Sequence, residues 1–212
     1  MTESTEPSAG GLSQLVERYS RRADAFENLV AQVPADRWEW PSPCADWDAR
    51  AVVGHIIDMH AAMLSPLGRE LSPASLAADP LGAFRSARAD VTALLADPET
   101  AQATVSTPMG PTSFAEHVDQ VVSADMVQHG WDLARATGQD DTIDPAELEA
   151  LWPMVQTIPE VMRTPGAFGP GIVVYGPIVE VPSDAPLQDR VLGLLGRDPK
   201  FVPGQPEATR RF

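Results

Sequence analysis

The segment 125–134, DMVQHGWDLA, places an aspartate and a histidine, Asp125 and His129, four residues apart in a stretch with helical periodicity. Helix residues at i and i+4 stand about 5–6 Å apart at Cβ, so both side chains can reach one ion. The apolar stripe of the same stretch is Phe114, Val118, Val121, Val122 and Leu133. At roughly 100° per residue, Asp125 falls about 20° and His129 about 60° around from Phe114, so both interrupt that stripe. A buried ionised carboxylate without a partner costs several kcal/mol, which calls for a counter-charge or a metal.

A second stretch, ARAVVGHIIDMHAAML, repeats the anomaly. His55 shares its face with Ala51, Val52, Met59, Ala62 and Met63, whereas His60 points about 140° away. His55, Asp125 and His129 would together form a two-histidine, one-carboxylate set, and bundle cores build metal sites from facing helices in this way. Three protein ligands leave a position open for water or substrate, as in catalytic zinc sites. The same set also suits non-haem Fe(II). The plainer alternative is a pair of hydrogen-bonded packing histidines, and spacing alone leaves both open.

The other polar residues read as structural. His60 is expected near the surface and His117 at a core boundary. Asp58, one turn after His55, is read as an exposed charge, and Trp131 as packing on a neighbouring element. Asp132 and Arg135 are expected to pair locally or cap the helix. Cys44 lies eleven residues before His55, about 16 Å away along a continuous helix, and is not expected to be a ligand.

The elements that must hold these residues are helical. Leu12 to Val33 carries apolar residues at three- and four-residue steps and stops before Pro34. WEWPSPCADWDAR is an extended loop, with Asp46 as N-cap and Asp48 in the first turn of a buried helix reaching about Leu64. Further helices are expected over Leu81–Leu95, from Ser113 to the stop at Gly138, from Asp144 to near Arg163, and over Ala185–Leu195. STPMGPTS reads as a turn. Segment 166–183, rich in Gly and Pro, is expected to hold a short strand or hairpin and to cover the site. The class is all-α, with long helices arranged as a bundle. Residues 1–11 read as a disordered lead-in, 12–201 as one helical domain and 202–212 as a mobile tail.

Thirty acidic residues against 15 basic ones give a formal charge of −15. That field repels phosphate backbones and anionic lipid, so neither nucleic acid nor membrane is expected as a partner. No apolar run approaches the roughly 18 residues of a membrane span. The N-terminus MTESTEPSAGG has neither a basic n-region nor an apolar h-region. Cys44 is the only cysteine, which excludes an intrachain disulfide and suits a reducing cytoplasm.

Three blocks carry a family resemblance: WEWPSPCADWDARAVVGHII, VVSADMVQHGWDLARATGQD and DAPLQDRVLGLLGRDP. In combination they resemble an actinobacterial metal-binding family of the DinB-like superfamily. That family is related to the N-terminal domain of mycothiol-dependent maleylpyruvate isomerase. The resemblance spans about Leu12 to Phe201. It implies a four-helix bundle with a long crossover, a C-terminal extension, and a divalent metal near one end of the bundle. By motif position the implied ligands are His55, Asp125 and His129, the residues already singled out by helix face. Where the isomerase has a glutamate this chain has Asp125, one methylene shorter. The isomerase's separate C-terminal domain is not expected here, and isomerase activity itself does not carry over.

The resulting expectation is a cytoplasmic enzyme, monomeric or homodimeric, that binds zinc, or else nickel or iron. It would use mycothiol as cosubstrate for S-transfer to, or isomerisation of, a small electrophile. The alternative is a metal or small-molecule binding protein without catalysis on the same scaffold.

Overall fold

The computed structural model describes residues 9–107, 110–167 and 173–204. Helix α1 (Ala9–Ala31) buries Tyr19, Ala23, Phe26 and Val30 at three- and four-residue steps, as its periodicity predicts. It begins about one turn earlier than its apolar stripe, because Gly10 and Gly11 extend the ladder without adding to the core.

The next loop folds back on itself. Ser42 N donates to Trp47 O and Ala49 N to Trp40 O, with a bridge between Pro41 and Asp48. At the tip Asp46 takes φ 65, a left-handed conformation that a short polar side chain tolerates. The N-cap of α2 (Ala49–Leu64) is therefore Asp48, which accepts from Ala51 N at 2.7 Å, and not Asp46. Asp79 caps α3 (Pro80–Leu95) and Pro80 supplies its first position.

A short helix α4 (Pro98–Gln102) and an antiparallel hairpin, β1 (Thr104–Thr107) with β2 (Gly110–Ser113), follow. The register pairs Thr104 with Ser113 and Thr107 with Gly110. The expected STPMGPTS turn overlaps this hairpin, and its central residues, 108–109, lie outside the described residues. Ser113 and Glu116 then form a reciprocal capping box that starts the fourth long helix. This helix is α5 (Phe114–Val118), a π-helical turn (Asp119–Ser123) and α6 (Ala124–Thr137), ended by Gly138 at φ 76.

Helices α1 and α2 each pack against both α3 and α6, so they occupy opposite corners of a four-helix bundle. Its core runs through Tyr19, Phe26, Val53, Ile56, Phe84, Phe114 and Leu133. Among the described residues the fold is all-α apart from one hairpin.

A second, smaller core forms where α7 (Pro145–Val155) and α8 (Leu187–Leu194) cover the outer face of α6 around Trp131. Helix α7 stops at Val155 instead of continuing to Arg163. Pro159 cannot join a helical ladder, and only a 3-10 turn (Glu160–Arg163) follows it. No strand forms over 173–183, where Gly176, Pro177 and Pro182 break any ladder; the rest of the expected strand, 168–172, lies outside the described residues. Arg22, itself buried, ties the two cores together by donating to Glu147 at 2.6 Å and to Ser123 Oγ at 3.1 Å.

Candidate metal centre

Helix α2 presents His55 toward α6, which presents Asp125 and His129 one turn apart. His55 Nε2 lies 2.8 Å from Asp125 Oδ2, and His129 Nε2 lies 3.5 Å from Oδ1 of the same carboxylate. The two imidazole rings are 4.7 Å apart, centre to centre. Trp47, from the folded loop, sits beside both, 4.7 Å from the His55 ring and 5.6 Å from that of His129. Gln128 also donates to Asp125 Oδ1. Burial alone would raise the Asp125 pKa, but the two histidines outweigh it and hold the carboxyl below its ordinary range.

The ligand atoms of His55, Asp125 and His129 all lie within 4.8 Å of one another. An ion at about 2.1 Å from tetrahedral donors separates them by roughly 3.4 Å, so a small closure of side chains seats it. The donor set also fits chemically, with two neutral nitrogens and one anionic oxygen.

Behind His129 lies a fully buried anchor. Asp132, with no exposure, places Oδ2 2.9 Å from His129 Nδ1. Arg197 Nη2 donates to that same oxygen at 3.1 Å, and so does the Cys44 thiol, also at 3.1 Å. Burial would raise the Asp132 pKa, yet Arg197 and His129 pull it far below the carboxylate range. Being an acceptor only, the ionised carboxylate keeps a proton on His129 Nδ1, which makes Nε2 the ring atom turned toward Asp125. Cys44, His129 and Asp132 also lie close enough to hold an ion. The Arg197 guanidinium, 3.5 Å from Cys44 Sγ, already supplies the positive charge there. We therefore read this trio as support for the first site.

The three residues singled out in sequence thus converge, while several neighbours behave differently from expectation. Asp132 does not pair with Arg135, which instead binds Asp141 at 3.0 Å and the Pro199 carbonyl. Cys44 approaches within 3.9 Å of His129 Nδ1, because the loop turns back where a straight helix would have carried it away. His60 is fully buried, bonded to the Ile56 carbonyl at 2.7 Å and the Tyr19 hydroxyl at 3.0 Å. It faces α1 and α3, so the direction away from His55 is core as well. Asp58 is exposed, His117 half-buried and Trp131 buried in the second core, as expected. A cleft of about 480 Å³ opens between α1 and residues 140–147, lined by Phe26 and Trp131. It lies on the opposite side of α6 and includes none of the site residues.

Residues 19–134 match the family model described as the mycothiol maleylpyruvate isomerase N-terminal domain. The chain belongs to this family. The match takes in His55, Asp125, His129 and Asp132, and stops short of Arg197. Two uncharacterized proteins of Mycobacterium tuberculosis, from strains CDC 1551 / Oshkosh and ATCC 25618 / H37Rv, are similar to this chain. Each is 28% identical over 184 residues, covering 84% of this chain and 95% of the relative. No solved structure matches. No helix among the described residues is long and apolar enough to cross a membrane.

Proposed function

We propose that this protein is a cytoplasmic, divalent-metal enzyme that uses a small thiol of the mycothiol type to attack a small electrophile. The products would be a thioether or an isomerised substrate. The observation that carries the proposal is the convergence of His55 Nε2 and His129 Nε2 on the Asp125 carboxylate, in a member of the mycothiol maleylpyruvate isomerase N-terminal domain family. A zinc ion bound there would supply Lewis acidity that keeps a thiol in its nucleophilic, deprotonated form near neutral pH.

The chain's own residues prepare that chemistry. Asp132, neutralised by Arg197, keeps the His129 ring in one tautomer and one orientation. Asp125 supplies one negative charge between two neutral imidazoles, so the set remains net cationic with a divalent ion and favours an anionic sulfur. Trp47 packs beside both rings. Burial, then Asp132, pushes the Cys44 thiol above its ordinary pKa, so it stays protonated and does not compete for the electrophile. The thiol's proton leaves to solvent, and the sulfur lone pair forms the new S–C bond.

A second reading, a binding protein without catalysis, is favoured by one observation. Asp132, Arg197 and Cys44 are all committed to one another, which leaves no free acid or base in that cluster. Cobalt-substituted protein titrated with mycothiol tests the first step shared by both readings. Sulfur ligation should add a charge-transfer band, and its absence at saturating thiol would remove the thiol reading. Metal-dependent consumption of mycothiol by an electrophile panel then separates enzyme from binder.

A further inference from the structure

The Asp125 carboxylate is held at both of its oxygens. Oδ2 meets His55 Nε2 at 2.8 Å across the bundle, and Oδ1 accepts from the side-chain amide of Gln128 on its own helix. Gln128 follows Asp125 at i+3 in α6, so it flanks the carboxylate on the side away from His129, whose Nε2 stands 3.5 Å from the same Oδ1. An ionised carboxylate only accepts, so the end of the amide turned to it is the NH2 group. The backbone beneath is fixed as well. Ser123 and Met126, before and after Asp125, are buried, and the Ser123 hydroxyl accepts from Arg22 at 3.1 Å.

With the backbone set, the turn of the carboxylate plane is left to fix. The last torsion of an aspartate is broad and two-fold, so its own sterics do not decide whether one oxygen or both face a given point. His55 and Gln128 decide it here, one on each oxygen. His55 is itself a candidate ligand, so Gln128 is the partner whose hydrogen bond does not compete with an ion for a histidine nitrogen. Its lack of charge matters too. A lysine or arginine in its place would offset the negative charge that Asp125 offers a cation, and a glutamate would repel the carboxylate. A neutral donor holds the oxygen and leaves that charge intact.

We propose that Gln128 is a positioning residue of this centre: its amide occupies Oδ1 of Asp125, so the carboxylate offers a divalent ion one oxygen and leaves room for a thiol sulfur. The inference rests on the metal and thiol reading given above. Without the amide, the carboxylate is free to turn and present both oxygens. The second oxygen then takes the place that sulfur needs. Loss of Gln128 therefore weakens thiol binding while metal binding stays close to its original strength, because a lost hydrogen bond is replaced by a further oxygen contact. A residue that only supported the fold would weaken both together.

The test is Gln128→Met in the full-length protein loaded with cobalt, with mycothiol as the probe. Methionine keeps the length and the helix propensity and removes the donor. Gln128 is half-buried, so the melting temperature should stay within about two degrees of wild type. Competition with a chromophoric chelator should give a cobalt affinity within about threefold of wild type. The midpoint of the thiol titration should rise about tenfold, roughly the effect of one hydrogen bond. Before thiol is added, the visible cobalt bands of the variant should be weaker, since an added oxygen ligand raises the coordination number. A thiol midpoint within about twofold of wild type would overturn the assignment, and so would a parallel fall in cobalt and thiol affinity. Wild-type protein that binds cobalt without any thiol-dependent band removes the thiol reading, and this proposal falls with it.

Discussion

Oδ2 of Asp132 lies 2.9 Å from His129 Nδ1 and 3.1 Å from Arg197 Nη2, so one buried oxygen joins a candidate metal ligand to a cation from the far end of the chain. The oxygen has two separable duties, orienting the imidazole and neutralising the guanidinium. Asp132→Asn removes the charge at nearly constant volume. Metal affinity should fall roughly 10- to 100-fold, the usual cost of losing a carboxylate behind a ligating histidine. Stability should fall by about 3–5 kcal/mol, because Arg197 is left buried without its counter-charge. Adding Arg197→Met should restore much of the stability without restoring the affinity. Competitive metal titration and chemical denaturation read the two effects separately, and their recovery together would contradict this division.

With a divalent ion bound as proposed, chelation would leave Asp125 between two imidazoles without the ion's charge. A ligand that binds only the folded state, present at a hundred times its Kd, adds about 2.7 kcal/mol. In a domain of this size that corresponds to a melting temperature roughly 5–10 °C higher than after chelation. Asp125→Asn should narrow the gap, since the amide is a poorer ligand and costs less to bury unpaired. Calorimetry on chelated and reloaded samples, with metal content measured on each, checks both the sign and the narrowing.

The main helices and the convergence of His55, Asp125 and His129 were legible because both rest on local signals. Periodicity marks a helix face, and a charged or imidazole side chain on that face is visible in one dimension. Even so, the π-helical turn at Asp119–Ser123 lies between Phe114 and Asp125 and breaks the uniform 100° step. Asp125 therefore stands at the edge of the core with 15% of its side chain exposed, while Met126 takes the buried position. The support network was not legible, because its members come from a loop, a helix and the C-terminal extension. Nothing local places Cys44 or Arg197 beside Asp132. Asp132 itself carried a signal, since it follows Asp125 and His129 at i+7 and i+3 and so shares their face. His60 was misread because a helix packed on two sides has no exposed face opposite His55. The hairpin at 104–113 escaped because its strands are short and its turn residues resemble an ordinary connection.

Gly196 has φ 81 and no room for a side chain against Gly176. Gly196→Ala should therefore cost more than the roughly 1 kcal/mol of an unfavourable backbone conformation alone. The backbones must separate, which shifts the neighbouring Arg197 and loosens the Asp132 anchor. Thermal unfolding should show the loss, and metal affinity should drop with it. Gly204→Ala, where nothing lies within contact distance of an added Cβ, should leave both unchanged.

His60 makes stability depend on pH away from the candidate metal centre. Burial lowers its pKa from the ordinary value near 6.5 to about 4, and Arg88 adds to that shift, while its bond to the Ile56 carbonyl opposes it. Between those two values the unfolded chain binds a proton that the folded chain refuses, so stability rises with pH across that window. The contribution is complete above about pH 6.5 and is lost as pH falls toward 4, by on the order of 3 kcal/mol in total. His60→Gln has nothing to titrate, and its amide can still reach the Tyr19 hydroxyl. Denaturation midpoints taken from pH 7 down to pH 4 should fall less steeply for the variant than for wild type, when both are stripped of metal. Parallel slopes would place the acid sensitivity elsewhere.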